Sequence, residues 1–174
     1  MTIYTYERSQ KLPARRDEVF AFFQTPENLA RITPPAMGFR ILTPSPILMR
    51  TGALMDYTVR VLGLRIRWTT MITTYDPPMK FVDEQLKGPY SFWHHTHAFV
   101  EENGGTRMVD TVRYALPFGA VGALAHALVV RRQMRRIFEY RESVIAGLLE
   151  ANGAGSVTNA DKSCRQSLTP EAQP

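Results

Sequence analysis

Three side chains able to hold or move a proton, His95, His97 and Asp110, fall where strand periodicity can bring them together. Histidines two residues apart lie on one face of a strand. Asn103-Gly104, a few residues on, is a strong hairpin signal, because a type I′ turn needs positive φ at both central positions. With these two as the loop, Glu102 opposes Gly105. Phe99 then opposes Met108, His97 opposes Asp110, His95 opposes Val112 and Trp93 opposes Tyr114. Opposed residues share a face, so the eight project together. A buried carboxylate beside an imidazole favours the protonated ring and suits general acid–base work. In a packed core the same pair is simply a satisfied polar pair. The candidate catalytic residues are therefore His97, Asp110 and His95. The two histidines could also donate two nitrogens to a metal. Zinc wants a third ligand, however, and Asp110 would have to serve while also holding His97. No metal site is assigned.

A second hairpin extends the face. If Gly88-Pro89-Tyr90 is a three-residue loop, Asp83 opposes His95, Gln85 opposes Trp93, and Phe81 joins them. A slip of one residue would turn Asp83 and Gln85 outward. The candidate ligand-binding set is thus Phe81, Asp83, Gln85, Trp93, His95, His97, Phe99, Met108, Asp110, Val112 and Tyr114. Bulky apolar side chains with a few embedded polar groups are what a small-molecule site is made of.

Elements able to position this face follow from period and punctuation. Alternation over 2–9 predicts a strand. After Pro13 a helical run carries Val19, Phe20, Phe22 and Phe23. Thr25-Pro26 reads as an N-cap with proline at the first helical position, so a second short helix is expected over about 26–32, stopped at Pro34-Pro35. Strands are expected over 39–42, 52–61, 64–75, 81–86, 91–101 and 106–116. In the third of these, Ile66, Trp68, Thr70 and Ile72 share a face. One long helix is expected over 120–150, with Leu124, Leu128, Met134, Ile137, Phe138, Ile145 and Leu148 as its apolar stripe. Hairpin-linked strands with segregated helices mean an α+β fold. Past Asn152-Gly153 the composition turns polar. The chain is therefore read as one domain over 1–151 and a disordered polar tail over 152–174.

Composition bounds the function. A chain of 174 residues, 44% apolar and 21% charged, suits one ordinary globular domain. No apolar run approaches the ~18 residues of a membrane span, and the N-terminus lacks a signal peptide's pattern, so a cytoplasmic location is expected. The single Cys164 allows no internal disulfide. No Gly-rich phosphate loop, nucleophile elbow or HExxH is present, and no cofactor is implied. Of the net charge of +5, four arginines cluster at 131, 132, 135 and 136. They read first as a solvated helix face and otherwise as an anion or RNA contact. No RNA-binding signature accompanies them, which argues against nucleic acid.

The stretches FVDEQLKGPYSFWHHTHAF, GGTRMVDTVRYALPFGAVG and IFEYRESVI resemble the SRPBCC (START/Bet v 1-like) superfamily, and within it bacterial polyketide cyclase/dehydrase-like ligand-binding proteins. The opening PARRDEVFAFFQTPENLARITPP is similar to that family's strand followed by two short helices. The resemblance covers about residues 2–150. It implies a helix-grip fold: a seven-stranded curved antiparallel sheet around the C-terminal helix, with a cavity between them. It also implies that Trp93, His95, His97, Asp110 and Tyr114 face the interior. Three functions remain open: binding or carriage of an apolar or amphipathic molecule, lipids among them; an aromatase/cyclase-type enzyme using a His97–Asp110 pair; and a ribosome- or anionic-surface-binding module using the arginines. The first is preferred, and a homodimer is compatible with any of the three.

Overall fold

A computed structural model describes the backbone of residues 1–61 and 63–164, and side chains of 1–61 and 63–149. Strand β1 (Tyr4–Leu12) turns inward at every second residue and ends on buried Leu12. Helix α1 (Arg16–Phe23) buries Val19, Phe20, Phe22 and Phe23. The second short helix is instead a 3₁₀ turn, Pro26–Ala30. Thr25 does not cap it: its hydroxyl donates backward to the Ala21 carbonyl at 3.0 Å. A further 3₁₀ turn, Pro35–Met37, follows where the two prolines were expected only to stop a helix.

Strand β2 (Arg40–Ile41) is shorter than expected, and β3 (Leu54–Val61) starts later. The meander continues with β4 (Leu64–Asp76), β5 (Lys80–Lys87), β6 (Phe92–Glu102) and β7 (Gly105–Ala115). All seven form one antiparallel sheet in the order β1-β7-β6-β5-β4-β3-β2. Register shifts between β4 and β5, at Thr69/Thr70 and Ile72/Thr74, bend it. The Asn103-Gly104 turn has φ of 51° and 80°, as type I′ requires.

The long helix is interrupted. Helix α2 (Gly119–Ala125) passes through a π turn, His126–Val130, into α3 (Arg131–Cys164). The π turn takes up an extra residue, so the apolar stripe changes phase across it. Met134, Phe138, Ile145 and Leu149 are buried, whereas Leu124 and Leu128, expected in the core, stand 60% and 56% exposed. Backbone α3 also runs past Asn152-Gly153; a glycine inside a helix costs only about 1 kcal/mol against alanine and need not end it. The remainder of the expected polar tail, 165–174, lies outside the described residues. One core cluster packs α1 phenylalanines on Phe81, Phe99, Met108 and Ile145. A second packs Val112 and Tyr114 on Met134 and Phe138.

Candidate functional site

The first hairpin register is observed in full: Trp93↔Tyr114, His95↔Val112, His97↔Asp110 and Phe99↔Met108. On the other side of β6, Asp83 pairs with His95 and Phe81 with His97, so Asp83 does point inward. Gln85 fastens the turn instead, its amide donating to the Tyr90 carbonyl at 2.7 Å.

Four groups from three adjacent strands meet beneath α3. His95 Nε2 donates to Asp110 Oδ1 at 3.0 Å, and His97 Nε2 donates to Asp83 Oδ2 at 3.2 Å. The other nitrogens sit near the opposite carboxylates, His95 Nδ1 3.3 Å from Asp83 and His97 Nδ1 2.7 Å from Asp110. The last approach is close but not directed, leaving His97 Nδ1 without a hydrogen bond. His97 also stacks on Phe81, ring centroids 4.3 Å apart, and the two imidazoles lie 3.8 Å apart.

Electrostatics follow from this crowding. Burial favours the neutral carboxyl, but the facing imidazoles outweigh it, and both Asp83 and Asp110 are held well below the usual carboxylate range. Burial opposes charge on His95, yet the two carboxylates raise it to about 8. Two carboxylates and the His95 imidazolium are therefore held together inside apolar walls.

A fifth member escaped the sequence reading. Arg141 of α3 is buried, with Nη1 3.8 Å from Asp110 Oδ1 and its guanidinium 4.9 Å over the Phe138 ring. Its Nε and Nη1 make no hydrogen bond. The signal was present in the pattern IFEYRESVI: Arg141 stands four residues from Ile137, three from Phe138 and four from Ile145, on the apolar stripe of the helix.

A cavity of about 170 Å³ lies between the sheet and α3. Its wall includes Phe81, Asp83, Trp93, His95, His97 and Arg141. Of the expected set, Phe99 and Met108 belong to one packed cluster and Val112 and Tyr114 to the other, while Asp110 stands behind the histidines. The wall is completed by residues outside the expected ligand-binding set, notably Tyr57, Trp68, Thr70, Tyr90, Met134 and Ile137. Burial raises the Tyr57 and Tyr90 phenols above their ordinary value, so both stay neutral. Asp83, His95 and His97 each place one ligand atom within 4.8 Å of the others, the one such trio of metal-binding side chains among the described residues. Asp83, not Asp110, is the third member; Asp110 braces the far nitrogens.

Residues 4–143 match the family described as polyketide cyclase/dehydrase and lipid transport. The chain belongs to this family. The same helix-grip fold is found among solved structures. The protein TTHA0849 from Thermus thermophilus is 20% identical with a TM-score of 0.64, covering 88% of this chain and 99% of its own. The ZhuI aromatase/cyclase from Streptomyces sp. R1128 is 17% identical with a TM-score of 0.65, over 86% and 94%. Norcoclaurine synthase from Thalictrum flavum is 10% identical with a TM-score of 0.63, over 87% and 97%. At these identities the likeness is one of fold. No curated protein matches the chain significantly.

Proposed function

We propose that this protein binds and carries an apolar or amphipathic small molecule in the cavity between the sheet and α3. The observation that carries the reading is the cavity itself, apolar on most of its wall with a few polar groups set into it. At about 170 Å³ it resembles engineered apolar cavities of about 150 Å³ that stay dry and take up benzene. A single ring fits as it stands. Larger cargo needs a yielding wall, and Met37, Met49 and Met55 line one side with flexible side chains. Buried donors without a hydrogen bond, Trp68 Nε1 and Arg141 Nε and Nη1, favour cargo bearing an oxygen acceptor.

Both tryptophans of the chain, Trp68 and Trp93, line the cavity, so intrinsic fluorescence reports its occupancy. Titration with hydroxylated aromatic and fatty-acid probes is expected to change Trp emission saturably. Ile137→Phe, which narrows the cavity, should weaken that response about tenfold, a loss of about 1.4 kcal/mol. An emission change that survives Ile137→Phe undiminished places the ligand elsewhere.

One observation favours a second reading, an aromatase/cyclase-type enzyme. A His95 imidazolium in the cavity wall is a positioned general acid. The directed bond to Asp110 comes from His95, so His95 replaces His97 as the acid–base partner in that reading. Turnover of a cyclisable polyketide that is lost in His95→Gln would support it; unchanged turnover would refute it.

A further inference from the structure

We infer that α2, the π turn and the start of α3 form a docking face for an anionic lipid surface. Phe118, Val121, Leu124 and Leu128 are 83%, 69%, 60% and 56% exposed. Spacings of three and four residues set Val121, Leu124 and Leu128 along one side of the helix, and Phe118 stands at its N-terminal cap. The opposite side is already engaged, with Gly122 buried under α2 and Met134 and Phe138 under α3. This segment is thus apolar on two sides, and only one has a protein partner among the described residues.

Charge identifies the occupant. Arg131, Arg132, Arg135 and Arg136 follow directly and are all exposed. Among the described residues no carboxylate pairs with any of them. A second copy of the chain is a poor fit. Two-fold symmetry would set arginines against arginines, or bury them against the partner's apolar stripe. An acidic lipid interface accepts both halves at once: apolar side chains enter the headgroup boundary while guanidiniums stay among the phosphates. Among the described residues no helix is long and apolar enough to cross a membrane.

The face is tied to the interior. His126 of the π turn stacks on Tyr4 with ring centroids 3.5 Å apart and bonds the Tyr114 hydroxyl at 3.0 Å. Past that anchor Gln133, Met134 and Ile137 line the cavity. The helix that touches lipid is therefore also a cavity wall, which suits uptake of cargo from a bilayer.

Co-sedimentation of the full chain with phosphatidylglycerol/phosphatidylcholine vesicles tests the inference without any cargo. Binding is expected to these vesicles and not to phosphatidylcholine alone, and to fall at least tenfold between roughly 50 and 300 mM salt. The double variant Leu124→Ser/Leu128→Ser should weaken it roughly tenfold. Arg131→Glu/Arg135→Glu should abolish it. Neither pair lines the cavity, so Trp-detected probe binding should persist in both, which separates failure of docking from failure of the carrier reading. Absence of wild-type binding, equal binding to neutral vesicles, or wild-type affinity in the serine variant would each overturn the inference. So would a concentration-dependent dimer in light scattering that the serine variant dissociates.

Discussion

Asp110→Asn probes the buried array most directly. In the native protein one oxygen, Asp110 Oδ1, faces His95 Nε2 at 3.0 Å, His97 Nδ1 at 2.7 Å and Arg141 Nη1 at 3.8 Å. Asparagine keeps the shape but removes the anion. Arg141 is then a buried cation with no carboxylate of its own, and breaking a buried pair in this way costs about 3–5 kcal/mol. At 2–4 °C per kcal/mol for a domain of this size, Tm should drop by roughly 6–20 °C. Urea denaturation at pH 7 measures the loss, with the m-value as a check that the transition stays two-state. Arg141→Met in the same background removes the stranded cation and should recover at least half of the loss, because the penalty comes from the unpaired charge. A loss below about 1 kcal/mol, or no recovery in the double variant, would refute the description of these groups as one mutually compensating array.

Stability should also depend on pH through His95. Its pKa is raised to about 8 in the folded state, above the ordinary value of about 6.5. The imidazolium's contribution is therefore complete below about pH 6.5 and lost as pH rises through about 8, a fall of about 2 kcal/mol. Denaturant midpoints from pH 6 to 9 would show it, and a flat profile would contradict it. Asp83 and Asp110 have lowered pKa values and act in the opposite sense, adding stability above the ordinary carboxylate range that disappears on acidification. At the β6–β7 turn, Gly104→Val forces a branched residue to a φ of 80° and should cost at least about 1–2 kcal/mol by thermal denaturation. Phe99→Ala, in the α1-facing cluster, should cost about 3–5 kcal/mol by the same assay, against near-neutrality for exposed Val100→Ala.

Period-two pattern and one Asn-Gly turn were enough to write the β6–β7 register residue by residue, because a slip would have turned every side chain over. The histidine face and Asp110 followed from that register; Asp83 needed a second one, set by a three-residue loop at Gly88-Pro89-Tyr90. Two kinds of information were not local. At 3.6 residues per turn Leu124 lies within about 60° of Phe138 and Ile145, and the extra residue of the π turn rotates it outward. Arg141 stands on the buried stripe, three residues from Phe138 and four from Ile145, but its partner Asp110 comes from a distant strand. The cavity wall, likewise, draws Tyr57, Trp68 and Thr70 from β3 and β4. Their inward face was readable on β4, but how far they stand from the histidines depends on the curvature of the sheet.

The sheet order also bears on how the chain is made. β1 lies at one edge, paired with β7 from Tyr4↔Tyr114 to Leu12↔Thr106, which joins residues about 94 to 110 positions apart. Loop closure on that scale is costly in entropy but grows only slowly with length. The greater burden is temporal. During synthesis the first strand emerges long before its partner, and Phe20, Phe22 and Phe23 wait with it, unburied, while β3 to β7 form neighbour by neighbour. A nascent chain of this kind depends on its last strand and helix to protect its first. Trimming β1 from the finished protein would leave β7 as an open edge, ready to pair with another molecule.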